Sequence, residues 1–157
     1  MRKVFFVLSG LVVLAVVVQF YFAAVGVFSE PEDELFAIHG TTGRIVLPVL
    51  IILWIISAAL ARAGRGTIGL TFLVLGLLLF QTVLFILTGL LTGSAPPPDG
   101  RITLAGTIML SFHAINGLAI LWVSTIVLRR SKRLAFPTPA SATTPDEEPE
   151  AVPSSSP

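Results

Sequence analysis

Residues 67–91 read TIGLTFLVLGLLLFQTVLFILTGLL, twenty-five positions without a charge or a proline. About 20 consecutive apolar residues suffice to cross a hydrocarbon core of about 30 Å. No water inside that core can satisfy free backbone groups, so the stretch predicts a transmembrane helix. Three more segments read the same way: residues 4–28, residues 35–61 with Pro48 inside them, and residues 102–128. The expected fold is all-α, a four-transmembrane-helix bundle.

The composition agrees. The chain has 157 residues, 54% apolar and only 12% charged, with a mean hydropathy of +0.92. Soluble globular chains carry about a quarter charged residues. A net charge of +1 offers no field to recruit nucleic acid, so no nucleic-acid partner is expected. Cysteine is absent, which removes disulfides, thiolate chemistry and Cys-ligated metals. The apolar run after Arg2-Lys3 is too long for a signal h-region of about 7–15 residues and is read as a retained helix.

Basic residues set the expected orientation. Arg2, Lys3, Arg62, Arg65, Arg129, Arg130, Lys132 and Arg133 flank helix ends on one side, against Arg44 and Arg101 on the other. The positive-inside rule puts both termini in the cytoplasm of a multi-pass protein. Arginine outnumbers lysine eight to two, a hint of a bacterial plasma membrane. Residues 1–133 form the expected transmembrane domain. Residues 134–157 are rich in Pro, Ser, Thr and acids and read as a disordered cytoplasmic tail. Ser29-Glu30-Pro31-Glu32 resembles a capping box, so the second helix is expected to begin near Glu30. A stiff Pro-rich loop is expected over residues 93–100.

The chemistry concentrates in a repeat. His39 and His113 are the only histidines, and each opens a His-x-x-polar-Gly motif: His39-Gly40-Thr41-Thr42-Gly43 and His113-Ala114-Ile115-Asn116-Gly117. The first and third segments each carry one glutamine, Gln19 and Gln81. Gln19 lies ten residues before Ser29 and His39 ten after it; Gln81 lies sixteen before Pro97 and His113 sixteen after it. The chain therefore reads as two copies of one helical hairpin, each Gln level with its own His. Gln19, Gln81, Thr42 and Asn116 form the expected polar cluster, facing the bundle interior because lipid cannot hydrogen-bond them. Counted from the other end the match fails: His39 is 23 residues from Arg62 and His113 only 16 from Arg129, about 10 Å apart in depth.

Two readings stand. In one, His39 and His113 are axial ligands of a single haem b, held between facing helices. Gly43 and Gly117 then make room for the porphyrin, and Arg44 and Arg101 meet its propionates. In the other, each His only hydrogen-bonds the Gln of its own hairpin, and the chain is a non-catalytic subunit that stabilises a membrane partner. Neither reading makes it an enzyme or assigns a catalytic residue. There is no intramembrane Asp, Glu or Lys for a carboxylate proton relay, and no nucleophile–base pair, phosphate loop or metal motif beyond the haem iron.

The order Gln19, Phe20-Tyr21-Phe22, Gly26, Phe36-Ala37-Ile38-His39-Gly40, Gln81 and His113-Ala114-Ile115-Asn116-Gly117-Leu118 resembles a small bacterial four-helix membrane family of unknown function, common in actinobacteria. The resemblance covers residues 4–130. It implies a fold and contact with a lipid bilayer, and no activity. More distantly, the histidine placement looks like four-helix membrane cytochromes b. With two histidines in total, this chain departs from the two-haem members of that group.

Overall fold

The computed structural model describes residues 1–93 and 102–137. Arg101, the Pro-rich segment and most of the expected tail lie outside the described residues. Four helices are long and apolar enough to cross a membrane: α1 (Arg2–Phe28), α2 (Phe36–Leu60), α3 (Arg65–Thr92) and α4 (Leu104–Ala135). Among the described residues there is no strand.

Each helix packs on the two beside it. α1 lies on α2 and α4, and α3 lies on the same two; the diagonal pairs α1/α3 and α2/α4 hardly approach. The arrangement is an up-down-up-down square. Phe6 and Phe136 stack edge to face, ring centres 5.5 Å apart, so α1 begins beside the place where α4 ends.

The connections follow from local backbone chemistry. α2 ends in a left-handed turn in which Ala63 N–H donates to Ala58 O (3.1 Å) and Arg62 N–H to Ala59 O (3.0 Å). This double bond satisfies carbonyls that a helix end leaves free. Gly64, at φ 82°, then turns the chain into α3. At the opposite end, helix does not begin near Glu30. Ser29 donates back to Gly26 O (3.2 Å), Pro31–Asp33 make one 3-10 turn, and α2 starts at Phe36. The reason is Glu34 at φ 52°, a left-handed residue that a right-handed helix cannot pass through.

α2 is irregular. Thr42–Val46 form a π turn between two α-helical parts. Such single wide turns occur often at functional sites. This one absorbs extra chain between His39 and Pro48.

The bundle is inside-out in its polarity. Ser9, Thr71, Ser124 and Ser131 are fully buried, while Trp122, Leu104 and Leu90 stand well exposed on outward faces. The largest buried side chains are Trp54, Phe5, Ile51, Val12, Val74 and Val127. They gather in the half of the bundle nearest the termini. The other half is less tightly filled, and the sequence motifs lie there.

Candidate functional site

His39 projects from α2 and His113 from α4, and their ring centres stand 6.0 Å apart with planes at 77°. These two helices are diagonal. The rings therefore meet at the centre of the square and not along a helix–helix seam.

The depth mismatch in the sequence disappears. α4 runs six residues beyond Arg129, to Ala135. Measured to the helix ends, Leu60 follows His39 by 21 residues and Ala135 follows His113 by 22. Arg129 and Arg130 are not the end of α4. Their long side chains can reach polar surroundings from within the last turns.

Gln19 sits beside His39 and Gln81 beside His113, but the contacts are not ring to amide. Gln19 Nε2 donates to the backbone carbonyl of His39 (3.3 Å), and Gln81 Nε2 donates to the backbone carbonyl of His113 (3.1 Å). The same bond occurs in both hairpins.

Beyond it the hairpins differ. In the first, the His39 ring Nδ1 lies 3.0 Å from the Gln19 backbone carbonyl. A carbonyl only accepts, so Nδ1 carries a proton. Thr42 Oγ1 lies 2.6 Å from Gln19 Oε1 and 2.7 Å from Ile38 O. In the second hairpin, Asn116 occupies the Thr42 position and donates elsewhere, to Leu77 O (2.8 Å). Gln81 Oε1 and His113 Nδ1 are left buried and, among the described residues, without a hydrogen bond. An unsatisfied buried polar atom costs about 1–3 kcal/mol.

An aromatic ring lies against each histidine. Phe36 lies 5.5 Å from the His39 ring and Phe85 lies 4.9 Å from the His113 ring, centre to centre. Phe36 entered the sequence reading only as part of the resemblance, and Phe85 not at all; neither was given a place at the site. Helical spacing could have found them, since Phe36 is three residues before His39 and Phe85 four after Gln81. Phe20, quoted for the resemblance but assigned no contact, also lies here: a Cβ on Gly117 would stand 3.1 Å from its ring. The open face of Gly43 is filled by the Gln19 amide, 2.6 Å from where a Cβ would be. Arg44 bonds back to Gly40 O (3.1 Å) through Nε.

The donor set is two imidazoles. Among the described residues no three His, Cys, Asp or Glu side chains gather to hold a metal ion. With a bond of about 2.0 Å from each imidazole nitrogen to a shared metal, ring centres stand about 6 Å apart. The observed separation suits a metal that brings its other ligands with it.

The two glutamines should differ in value. Gln19→Leu is expected to destabilise the protein by about 1 kcal/mol and Gln81→Leu by about half that or less. The second substitution also removes a buried acceptor that has no donor. Thermal unfolding in detergent measures both; a larger loss in Gln81→Leu would show that its Oε1 has a partner.

Residues 19–89 match the sequence profile of a family of unknown function (DUF6220). The match opens on Gln19 and takes in His39, Thr42 and Gln81, stopping before His113. No curated protein and no solved structure matches the chain.

Proposed function

We propose that this chain is a multi-pass plasma-membrane protein that holds one haem b between His39 and His113 and carries or handles it without bond-making chemistry of its own. The observation that carries the reading is the central imidazole pair at 6.0 Å, with His113 Nδ1 buried and unpaired. Two histidines that served only packing would be expected to satisfy their ring nitrogens.

Haem b supplies one-electron redox chemistry when bound. The chain's own residues do the rest. His39 and His113 would hold the haem iron. Gln19, through its backbone carbonyl, orients the His39 ring. Phe36 and Phe85 pack one ring each against His39 and His113. Gly117 would border the macrocycle, at the place where the Phe20 ring packs. Arg44 is assigned to a propionate; its terminal guanidinium nitrogens make no hydrogen bond among the described residues. Arg101 is assigned to the other.

One observation favours the accessory-subunit reading. The matched Gln-to-carbonyl bonds already lock each hairpin without a cofactor. The two readings differ in colour. Purified in detergent after expression with ample haem, the protein is expected to show a b-type α band in the reduced-minus-oxidised spectrum. Both His39→Ala and His113→Ala should lose it, because a six-coordinate spectrum needs both nitrogens. A colourless wild type leaves the accessory role, with a membrane partner still to be found.

The same proposal sets both termini in the cytoplasm, on the distribution of basic residues. Reporter fusions between α3 and α4 and after the C-terminus test this. A cytoplasmic signal from the α3–α4 connection reverses the orientation.

A further inference from the structure

We propose that Arg129, Lys132, Arg133 and the ring of Phe136 form a binding site for one anionic phospholipid, with its phosphate at the end of α4 and its acyl chains along the outer face of that helix. The site lies at the end of the bundle away from the imidazole pair and does not depend on what that pair holds.

The four residues line one concavity at the surface. They sit at i, i+3, i+4 and i+7, the spacing of one helix face. Phe136 caps α4, its N–H donating to Lys132 O (2.9 Å), and its ring packs edge to face on Phe6 of α1. Both contacts hold the aromatic wall in place. The three cationic side chains are exposed, and among the described residues they make no ion pair and no hydrogen bond. They do not turn back to the last carbonyls of α4, a common use of cations at a helix end. The acidic residues among the described ones, Glu30, Glu32, Asp33 and Glu34, all lie in the connection at the other end. Three positive charges therefore converge with no counter-charge among the described residues. Guanidinium forks match phosphate oxygens, and basic pockets at helix ends hold anionic headgroups.

Depth and the surface below decide what carries the phosphate. α4 is uncharged from Leu104 to Leu128, roughly 36 Å at 1.5 Å per residue, against a hydrocarbon core of about 30 Å. The cations after Leu128 thus stand at headgroup level. Trp122, Leu118 and Ile115 continue the face of Arg129 toward the membrane centre, and all three are well exposed. A free phosphate would use the cations and leave this apolar lane bare, whereas a phospholipid uses both.

Two arginines at the same end provide the control. Arg62 and Arg65 are also exposed but do not line the concavity. The full chain, in a nonionic detergent, is titrated with phosphatidylglycerol or phosphatidylcholine of the same acyl chains, and bound lipid is counted by native mass spectrometry. Wild type should prefer phosphatidylglycerol by at least about tenfold, since each cation near an anionic lipid is worth about fivefold. Arg129→Gln/Arg133→Gln should bring the two lipids to near equality. Arg62→Gln/Arg65→Gln removes the same charge and should keep the preference. If the first double variant fails to fold, Lys132→Gln carries the comparison, with an expected loss of about fivefold against none in Arg65→Gln. Neutralising the acids of the C-terminal segment in the full chain (Asp146→Asn, Glu147→Gln, Glu148→Gln and Glu150→Gln) should leave the preference unchanged.

No preference in wild type, or equal losses in the two double variants, overturns the site in favour of a diffuse positive field. Displacement of the lipid by millimolar inorganic phosphate assigns the cations to a soluble anion instead. A large gain in lipid binding on neutralising the C-terminal acids means that the chain's own acidic segment occupies the site, and overturns the proposal as well.

Discussion

Gly26→Ala is expected to destabilise the bundle by about 3 kcal/mol, the upper end for overpacking a filled site. A Cβ at position 26 would lie 2.6 Å from the Cα of Phe36. That atom cannot swing aside. Glu34 is held left-handed just before it, and Ala37 N–H and Ile38 N–H bond back to Glu34 O (2.9 Å) and Leu35 O (3.2 Å). Yielding at Phe36 moves the first turn of α2 and, three residues on, His39. The same change at Gly10, Gly69 or Gly76 meets nothing within 4 Å and should stabilise its helix, by about 1 kcal/mol at most. Thermal unfolding of the four variants in one detergent makes the comparison. Equal melting temperatures across the set would mean that α1 and α2 do not touch at this crossing.

Trp54→Ala should cost about 3–5 kcal/mol, the usual range for deleting a large buried aromatic. Trp54 is fully buried, and its Nε1–H donates to Ser9 Oγ (2.8 Å), which donates in turn to Phe5 O (2.7 Å). Lipid cannot reach the cavity that the substitution leaves. Trp54→Phe removes the donor but keeps most of the volume, so it should cost about 0.6 kcal/mol for the bond plus some loss of packing. Trp122 is the control: 72% exposed on α4, its replacement by alanine should change stability by less than about 0.5 kcal/mol. Similar losses at both tryptophans would place the bundle interior elsewhere.

The two tryptophans also mark a limit of reading the chain alone. Both lie well inside apolar segments, and nothing in their neighbourhoods says which one faces the core. Side-chain type does not decide it, because lipid and bundle interior are about equally apolar. Only polar residues carry a signal, since only they lose by facing lipid. Ser9 and Ser57, buried on α1 and α2, flank the side on which Trp54 packs. The pairing of Ser9 with Trp54 spans 45 residues and has no local mark.

The polar cluster was legible for the same reason. Gln19, His39, Gln81 and His113 are the groups a membrane would most strongly reject, and the hairpin symmetry set them level. The details of their bonding were not legible. Whether a glutamine amide meets a histidine ring or its backbone carbonyl depends on fractions of an ångström between helices. The π turn at Thr42–Val46 has no motif of its own.

Four long apolar stretches determined by themselves that the chain is helical, how many membrane-spanning helices the described residues form, and which end of each lies with the termini. The physical reason is that a hydrocarbon core accepts only satisfied backbone, and basic residues stay at its edge. The tertiary structure alone decided that the histidine helices are diagonal, that the rings meet at 6.0 Å, and that one ring is tied while the other is not. Those facts depend on which helices become neighbours and on which partners Thr42 and Asn116 reach. Neither is written in the spacing of residues along the chain.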